Sequence, residues 1–294
     1  MKNKNTIWFY LLVVFVLSFL WQLVIYLTGG IESGLFPILM LFPGIIAIAF
    51  MVINKEDIRI VRWGLGRWWY ILPALIIPIL FILVVGWFLT ALNWATLSGR
   101  HFLFQNGMVQ IKGIPFILGN GAQSIAYFGL NFFLSLLIQA LLGSLVTIGE
   151  EIGWRGYAQE KLISKFGTNG GLILLGVIWG YWHLPIGLMG WNFPNHPFLG
   201  ALVLTPISTV FLGVYMGWLY LRSRSIWMPT LAHAAWNLCI SLLLNETIMQ
   251  RDDLYLQLTI LAAWAVIMGI CLLSLNIRKP VLWQSVDLVG IDNE

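Results

Sequence analysis

Long apolar runs without interior charge dominate this chain and fix its solvent before any other feature is read. They fall at about 7–28, 34–53, 70–97, 127–149, 171–190, 199–221, 226–245 and 254–276. A helix needs roughly 20 mostly apolar residues to cross the hydrocarbon core of a bilayer, so each run is a candidate span. Lipid offers the backbone no hydrogen-bond partner, which leaves helices and closed barrels as the only spanning structures, and runs of this length select the helix. The expected fold is an all-α polytopic transmembrane bundle of about eight helices, with 1–294 forming a single integral membrane domain. Composition agrees: 60% of residues are hydrophobic and 10% charged, where a soluble domain carries about a quarter charged. The first run follows Lys2 and Lys4 but is too long for a signal-peptide core and lacks a small-x-small cleavage pattern. It is expected to be retained as a span. Pro73 and Pro78 in the third run predict one tilted or kinked helix.

The formal charge of +4 and pI near 9.1 do not point to nucleic acid, because the basic residues are scattered between apolar runs. They sort by topology instead. Lys2, Lys4, Lys55, Arg59, Arg62, Arg67, Arg155, Lys161, Lys165, Arg222, Arg224, Arg278 and Lys279 fall on one side of an eight-span chain. Only Arg100, Lys112 and Arg251 fall on the other. By the positive-inside rule both termini are cytoplasmic, N-in and C-in. Cys239 and Cys271 lie in apolar runs without metal-type spacing and read as core residues. Trp63, Trp68, Trp69 and Trp191 read as interfacial anchors. The outside loop at about 98–126 receives no assigned job, and His101 and His196, both in outside loops, receive no role.

Ionisable groups inside spans cost several kcal/mol and are functional hypotheses by default. Here they cluster in three places. The fourth run leads into Glu150, Glu151 and Arg155. Glu151 and Arg155 stand i,i+4 with the acid first, a favourable pairing, while Glu150 points about 100° away. One carboxylate is thus expected to be held by an arginine, and the other to face the bundle interior as a general base. The fifth run holds His183, four residues after Trp179, near the middle of that run. The seventh holds His233 and Asn237, again i,i+4 and sharing one face. Each group alone has a structural reading: a solvated helix end, a histidine at a helix break, and interhelical glue. Their joint occurrence, with other interior charge nearly absent, favours one shared site open to the cytoplasm.

At these residues the chain resembles the CPBP family of intramembrane proteases, the group that contains CAAX-processing endopeptidases and bacteriocin-processing or immunity proteins. Glu150, Glu151 and Arg155 match its Glu-Glu-x-x-x-Arg motif. Trp179 and His183 match its aromatic-histidine motif, with tryptophan where phenylalanine is more usual. His233 and Asn237 match its His-x-x-x-Asn motif. A family-like core over 127–245 is implied. So is a hydrolase in which Glu150 activates water, His183 orients that water, and His233 with Asn237 forms an oxyanion hole. Glu151, Arg155 and Trp179 support the site, and no cofactor or metal is required.

Two other readings use the same residues. Two histidines and a glutamate are a known zinc set, although the His-Glu-x-x-His signature is missing. A non-catalytic immunity or scaffold protein would use them to brace the bundle. The expected partners are the lipid bilayer and a membrane-associated or lipidated peptide or protein substrate, with no nucleic acid, in a multi-pass protein of the plasma membrane.

Overall fold

The computed structural model describes residues 6–279; Lys2 and Lys4, counted above as topology signals, lie outside the described residues. The chain is mainly helical. Its helices are α1 (Thr6–Leu27), α2 (Phe36–Leu39), α3 (Phe42–Ile53), α4 (Ile71–Ala91), α5 (Ile125–Glu151), α6 (Glu160–Trp182), α7 (Leu184–Leu188), α8 (Pro197–Leu199), α9 (Thr205–Ser223), α10 (Trp227–Glu246) and α11 (Leu254–Ile277). Two π-helical segments join this series, Ile152–Gln159 between α5 and α6 and Gly200–Leu204 before α9. The described residues also hold five short strands: β1 (Ala95–Leu97), β2 (Phe102–Gln105), β3 (Met108–Ile111), β4 (Gly121–Ser124) and β5 (Thr247–Met249).

Among the described residues, seven helical stretches are long and apolar enough to cross a membrane. One of them runs from Ile125 to Trp182, 58 residues. At 1.5 Å per residue that is about 87 Å, nearly three times the hydrocarbon thickness. It is not one straight crossing. Gly167, with φ 72° and ψ 169°, breaks the helix within α6, which separates the fourth apolar run of the sequence from the fifth. Large apolar side chains remain exposed along the helices, among them Leu20, Val52, Trp87, Leu145 and Val266. An exposed apolar surface on this scale belongs in lipid. The molecule is a multi-pass membrane protein.

Several boundaries differ from the sequence reading, each for a local reason. The third run ends at Ala91 rather than 97: Asn93 takes a left-handed conformation (φ 53°), and residues 95–97 form β1, paired antiparallel with β5. Pro78 lies inside α4, which continues through it as one helix. The second run is divided at Met40 and Leu41, where α3 starts with Pro43 in its first turn. The fifth ends at Trp182 rather than 190, because His183 leaves helical geometry and Pro185 opens α7. The outside loop is not plain coil: β2, β3 and β4 form an antiparallel sheet in it.

The chain divides into two compact units. Of the described residues, the first contains 6–70, 146–230 and 264–279, and the second contains 71–145 and 231–263. In the first unit, glycines let helices approach without a Cβ between them. A Cβ on Gly149 would stand 2.6 Å from the Leu41 Cα, and one on Gly153 would stand 2.4 Å from the Pro43 Cβ. Gly176 and Gly180 do the same for α6 against α9, with a built Cβ 2.5 Å from the Cα of Val210 and of Pro206 respectively. Small residues four apart are the usual device for close helix contact in membranes. Thr209 adds a hydroxyl donated to the Gly176 carbonyl at 2.9 Å.

In the second unit, Leu75, Ala140, Leu231, Ala234 and Ala235 form a buried cluster from α4, α5 and α10. The lower end of this unit is tied by Glu246. Its Oε1 accepts from the His101 backbone N–H at 3.0 Å and lies 2.6 Å from His101 Nδ1, while the Ser98 hydroxyl donates to Oε2 at 3.2 Å. His101, given no role from the sequence, therefore anchors the loop that precedes β2 to the end of α10.

Candidate active site

Glu150 and Glu151 do not sit at a solvated helix end. The helix continues past them as Ile152–Gln159, and all eight of those residues are buried. Long stretches of π-helix are uncommon and concentrate at functional sites. The relative exposures of Glu150, Glu151 and Arg155 are 1%, 0% and 1%, so three ionisable groups lie within one turn and a half in the interior. A charge held there must be paired or hydrogen-bonded.

The two carboxylates are satisfied differently. Arg155 Nη1 donates to Glu151 Oε1 at 2.8 Å, the i,i+4 pair expected from the sequence. Glu150 Oε2 accepts from two indoles instead, Trp179 Nε1 at 2.6 Å and Trp154 Nε1 at 3.3 Å. These donors are neutral. They orient the carboxylate, which also feels the charge of Arg155. The Arg155 guanidinium also lies over the Trp179 ring, 4.5 Å from its centroid, so one indole touches both acid systems through its edge and its face.

Trp179 also fixes the histidine. His183 Nδ1 lies 2.9 Å from the Trp179 carbonyl oxygen. A carbonyl can only accept, so Nδ1 carries a proton and donates it to this oxygen. The imidazole stands in an aromatic box. Trp191 stacks on it at 5.0 Å with an 8° interplanar angle, and Trp182 meets it edge-on at 4.7 Å. His183 is thus at a helix break and not in mid-span. Gln22 of α1 closes that break: its Nε2 donates to the Trp182 carbonyl at 3.0 Å, and its Oε1 accepts from the Ile186 N–H at 3.0 Å. Gln22 itself is fully buried.

The structure therefore gathers Glu150, Glu151, Arg155, Trp179 and His183 in the first unit. His233 and Asn237 lie four residues apart on α10, in the part of that helix that belongs to the second unit; His233 is buried and Asn237 exposed. Sequence reasoning missed Trp154, Trp182, Trp191 and Gln22. Trp154 was within reach, since it stands i+4 from Glu150. Trp191 reads from sequence as an interfacial anchor, and only the turn after α7 brings it onto His183.

This polytopic helical protein thus carries a buried glutamate and a buried histidine that share Trp179 as a hydrogen-bond partner. Comparison with known proteins finds a local similarity to one family. Residues 129–239 match the Rce1-like family, described as type II CAAX prenyl endopeptidase Rce1-like. CAAX prenyl protease 2 of Methanococcus maripaludis is 28% identical over 114 residues, which cover 37% of this chain and 42% of that relative. The chain thus spans less than half the length of the curated relative it matches. The matched window opens in α5 and closes in α10, and it contains every motif residue from Glu150 to Asn237. The resemblance to the CPBP family is borne out over this window.

Proposed function

We propose that this protein is an intramembrane endopeptidase of the CAAX-protease type, with Glu150 as the base that activates water. The observation that carries the reading is the contrast between two adjacent buried carboxylates. Glu151 is matched by Arg155, whereas Glu150 is held by the indole N–H groups of Trp179 and Trp154. The two indole N–H groups hold the Glu150 carboxylate in one orientation, and an oriented buried carboxylate is suited to take a proton from water.

In the proposed reaction, water transfers a proton to Glu150 as its oxygen bonds to the scissile carbonyl carbon. His183 accepts a hydrogen bond from that water at Nε2 and aims it. The carbonyl becomes a tetrahedral oxyanion, and His233 and Asn237, matched to the third motif, donate to it. Glu150 then returns the proton to the leaving amine nitrogen as the C–N bond breaks. Losing one oxyanion donor typically costs about a hundredfold or more in rate. No metal enters this scheme. The substrate class is a membrane-associated or lipidated protein, with a prenylated C-terminus the form that the relative's name points to. The site is proposed to open to the cytoplasm in an N-in, C-in protein of the plasma membrane.

The test is cleavage of a panel of membrane peptides, prenylated and unprenylated, by the purified protein in nanodiscs. Chelator-resistant cleavage that is lost in Glu150→Gln is the expected result. Loss of cleavage with a chelator, restored by zinc, would replace the glutamate mechanism with a metal one. Activity retained in Glu150→Gln would remove Glu150 as the base.

A further inference from the structure

We infer that the ends of α9 and α11 and the segment before α4 form a binding site for a phosphate group, filled by the headgroup of an anionic phospholipid. A cavity of about 520 Å³ lies there, lined by Arg67, Arg222, Arg224, Arg278 and Lys279 together with Ser274. Among the described residues no carboxylate lines it. The contrast with other basic residues of the same unit is sharp. Arg59 pairs with Asp57, Arg62 with Glu160, Arg155 with Glu151 and Lys161 with Glu56. Topology alone puts cations on one side of a membrane, but it does not bring five of them into one cavity where no described carboxylate lines the wall.

The cations are held together by the fold. The Arg67 backbone N–H donates to the Ser223 carbonyl at 2.7 Å. The Arg222 guanidinium donates to the Ser274 carbonyl, and to the Ser274 hydroxyl at 3.1 Å. Three separate chain segments are thereby fixed around the cavity. The helix C-termini of α9 and α11 each contribute about half a negative charge, which offsets about one of the five positive ones. The remainder calls for an anion. Trp68 and Trp69 beside Arg67 are exposed, as is Ile277 beside Arg278. Exposed aromatics next to basic residues mark the headgroup level of a bilayer, and basic pockets between spans at that level bind anionic headgroups. This inference does not depend on the proposed protease activity.

The experiment is lipid retention by the full chain in detergent, read by native mass spectrometry after addition of equal phosphatidylglycerol and phosphatidylcholine. The variant is Arg224→Gln, Arg278→Gln and Lys279→Gln together, which leaves Arg67 and Arg222 to hold the segments. The control removes the same charge elsewhere, as Arg100→Gln, Lys112→Gln and Arg251→Gln. Each basic residue near an anionic headgroup is worth about fivefold in binding. Wild type and control are therefore expected to retain phosphatidylglycerol over phosphatidylcholine, and the site variant to lose at least tenfold of that preference. Thermal stabilisation of wild type but not variant by inorganic phosphate, without lipid retention, would support the phosphate site and assign it a soluble source. Equal phosphatidylglycerol retention by wild type and site variant, or no response of wild type to either probe, would overturn the site.

Discussion

The Trp179 indole N–H donates to the Glu150 carboxylate at 2.6 Å, while the same residue's carbonyl accepts from His183 Nδ1 at 2.9 Å. One residue thus sets the orientation of both the proposed base and the histidine beside it. Trp179→Phe keeps the carbonyl and an aromatic face beneath Arg155 and removes the N–H together with part of the buried ring. A hydrogen bond to a charged group is worth about 1.5–3 kcal/mol, so kcat should fall about tenfold to a hundredfold with KM little changed. Trp179→Leu removes the face as well and should also lower the unfolding temperature. Single-turnover cleavage and thermal unfolding in detergent measure the two effects separately. An unchanged kcat in the phenylalanine variant would mean that the indole only packs.

The Glu151–Arg155 pair makes a different prediction, because both partners are almost completely buried. Removing one leaves an uncompensated charge inside, which typically costs about 3–5 kcal/mol, whereas replacing both by apolar residues is often neutral. Arg155→Met alone should sharply destabilise the protein, and Glu151→Leu with Arg155→Met should recover most of the loss. Thermal unfolding of the three proteins checks this. If the double variant is as unstable as the single, the pair is not an isolated buried ion pair.

The parts of this site that were legible in the sequence are those set by helical spacing. The Glu151–Arg155 pair was legible from its i,i+4 spacing and forms in the structure although Arg155 lies in the π-helical segment that follows Glu151. The apolar runs likewise gave the spans, because run length maps directly onto bilayer thickness. What was illegible depends on contacts between distant segments. Gln22 sits in an apolar run as a single polar residue, and nothing local shows that it faces the break at His183, 161 positions along. The extension of the helix through 152–159 was hidden by its polar letters, which resemble a solvated helix end until packing against α3 buries them. The β-strands of the outside loop were missed because each is only three or four residues long, too short for alternation to register.

Gln22 yields a prediction of its own. Its amide satisfies a carbonyl and an N–H that the break between α6 and α7 leaves without helical partners. Gln22→Leu fits an apolar helix by composition, and insertion into the membrane should be unimpaired. Two buried polar groups would be orphaned, each costing about 1–3 kcal/mol. The expected outcome is a lower unfolding temperature and faster amide hydrogen exchange confined to residues around 183–188. Gln22→Glu, which retains the acceptor but not the donor, should fall between wild type and the leucine variant. If exchange at the break is unchanged in Gln22→Leu, the bridge does not hold it.

Gly180 separates packing from helix propensity, since alanine normally favours a helix over glycine by about 0.5–1 kcal/mol. A Cβ at Gly180 would stand 2.5 Å from both the Pro206 Cα and the Thr209 hydroxyl oxygen. Backbone cannot yield as a flexible side chain does, so α6 and α9 must move apart, and overpacking of this kind costs about 1–3 kcal/mol. Because Trp179 precedes Gly180 and His183 follows it by three residues, the shift should also disturb the indole contact to Glu150. Gly180→Ala is therefore expected to lose both stability and cleavage activity. Gly129, in α5, meets nothing within 4 Å where its Cβ would lie, and Gly129→Ala should leave activity intact and stability unchanged or slightly raised. Measured side by side, the two substitutions give opposite signs if close helix contact places the site. Equal, small effects at both positions would show that α6 can relax away from α9 without moving Trp179.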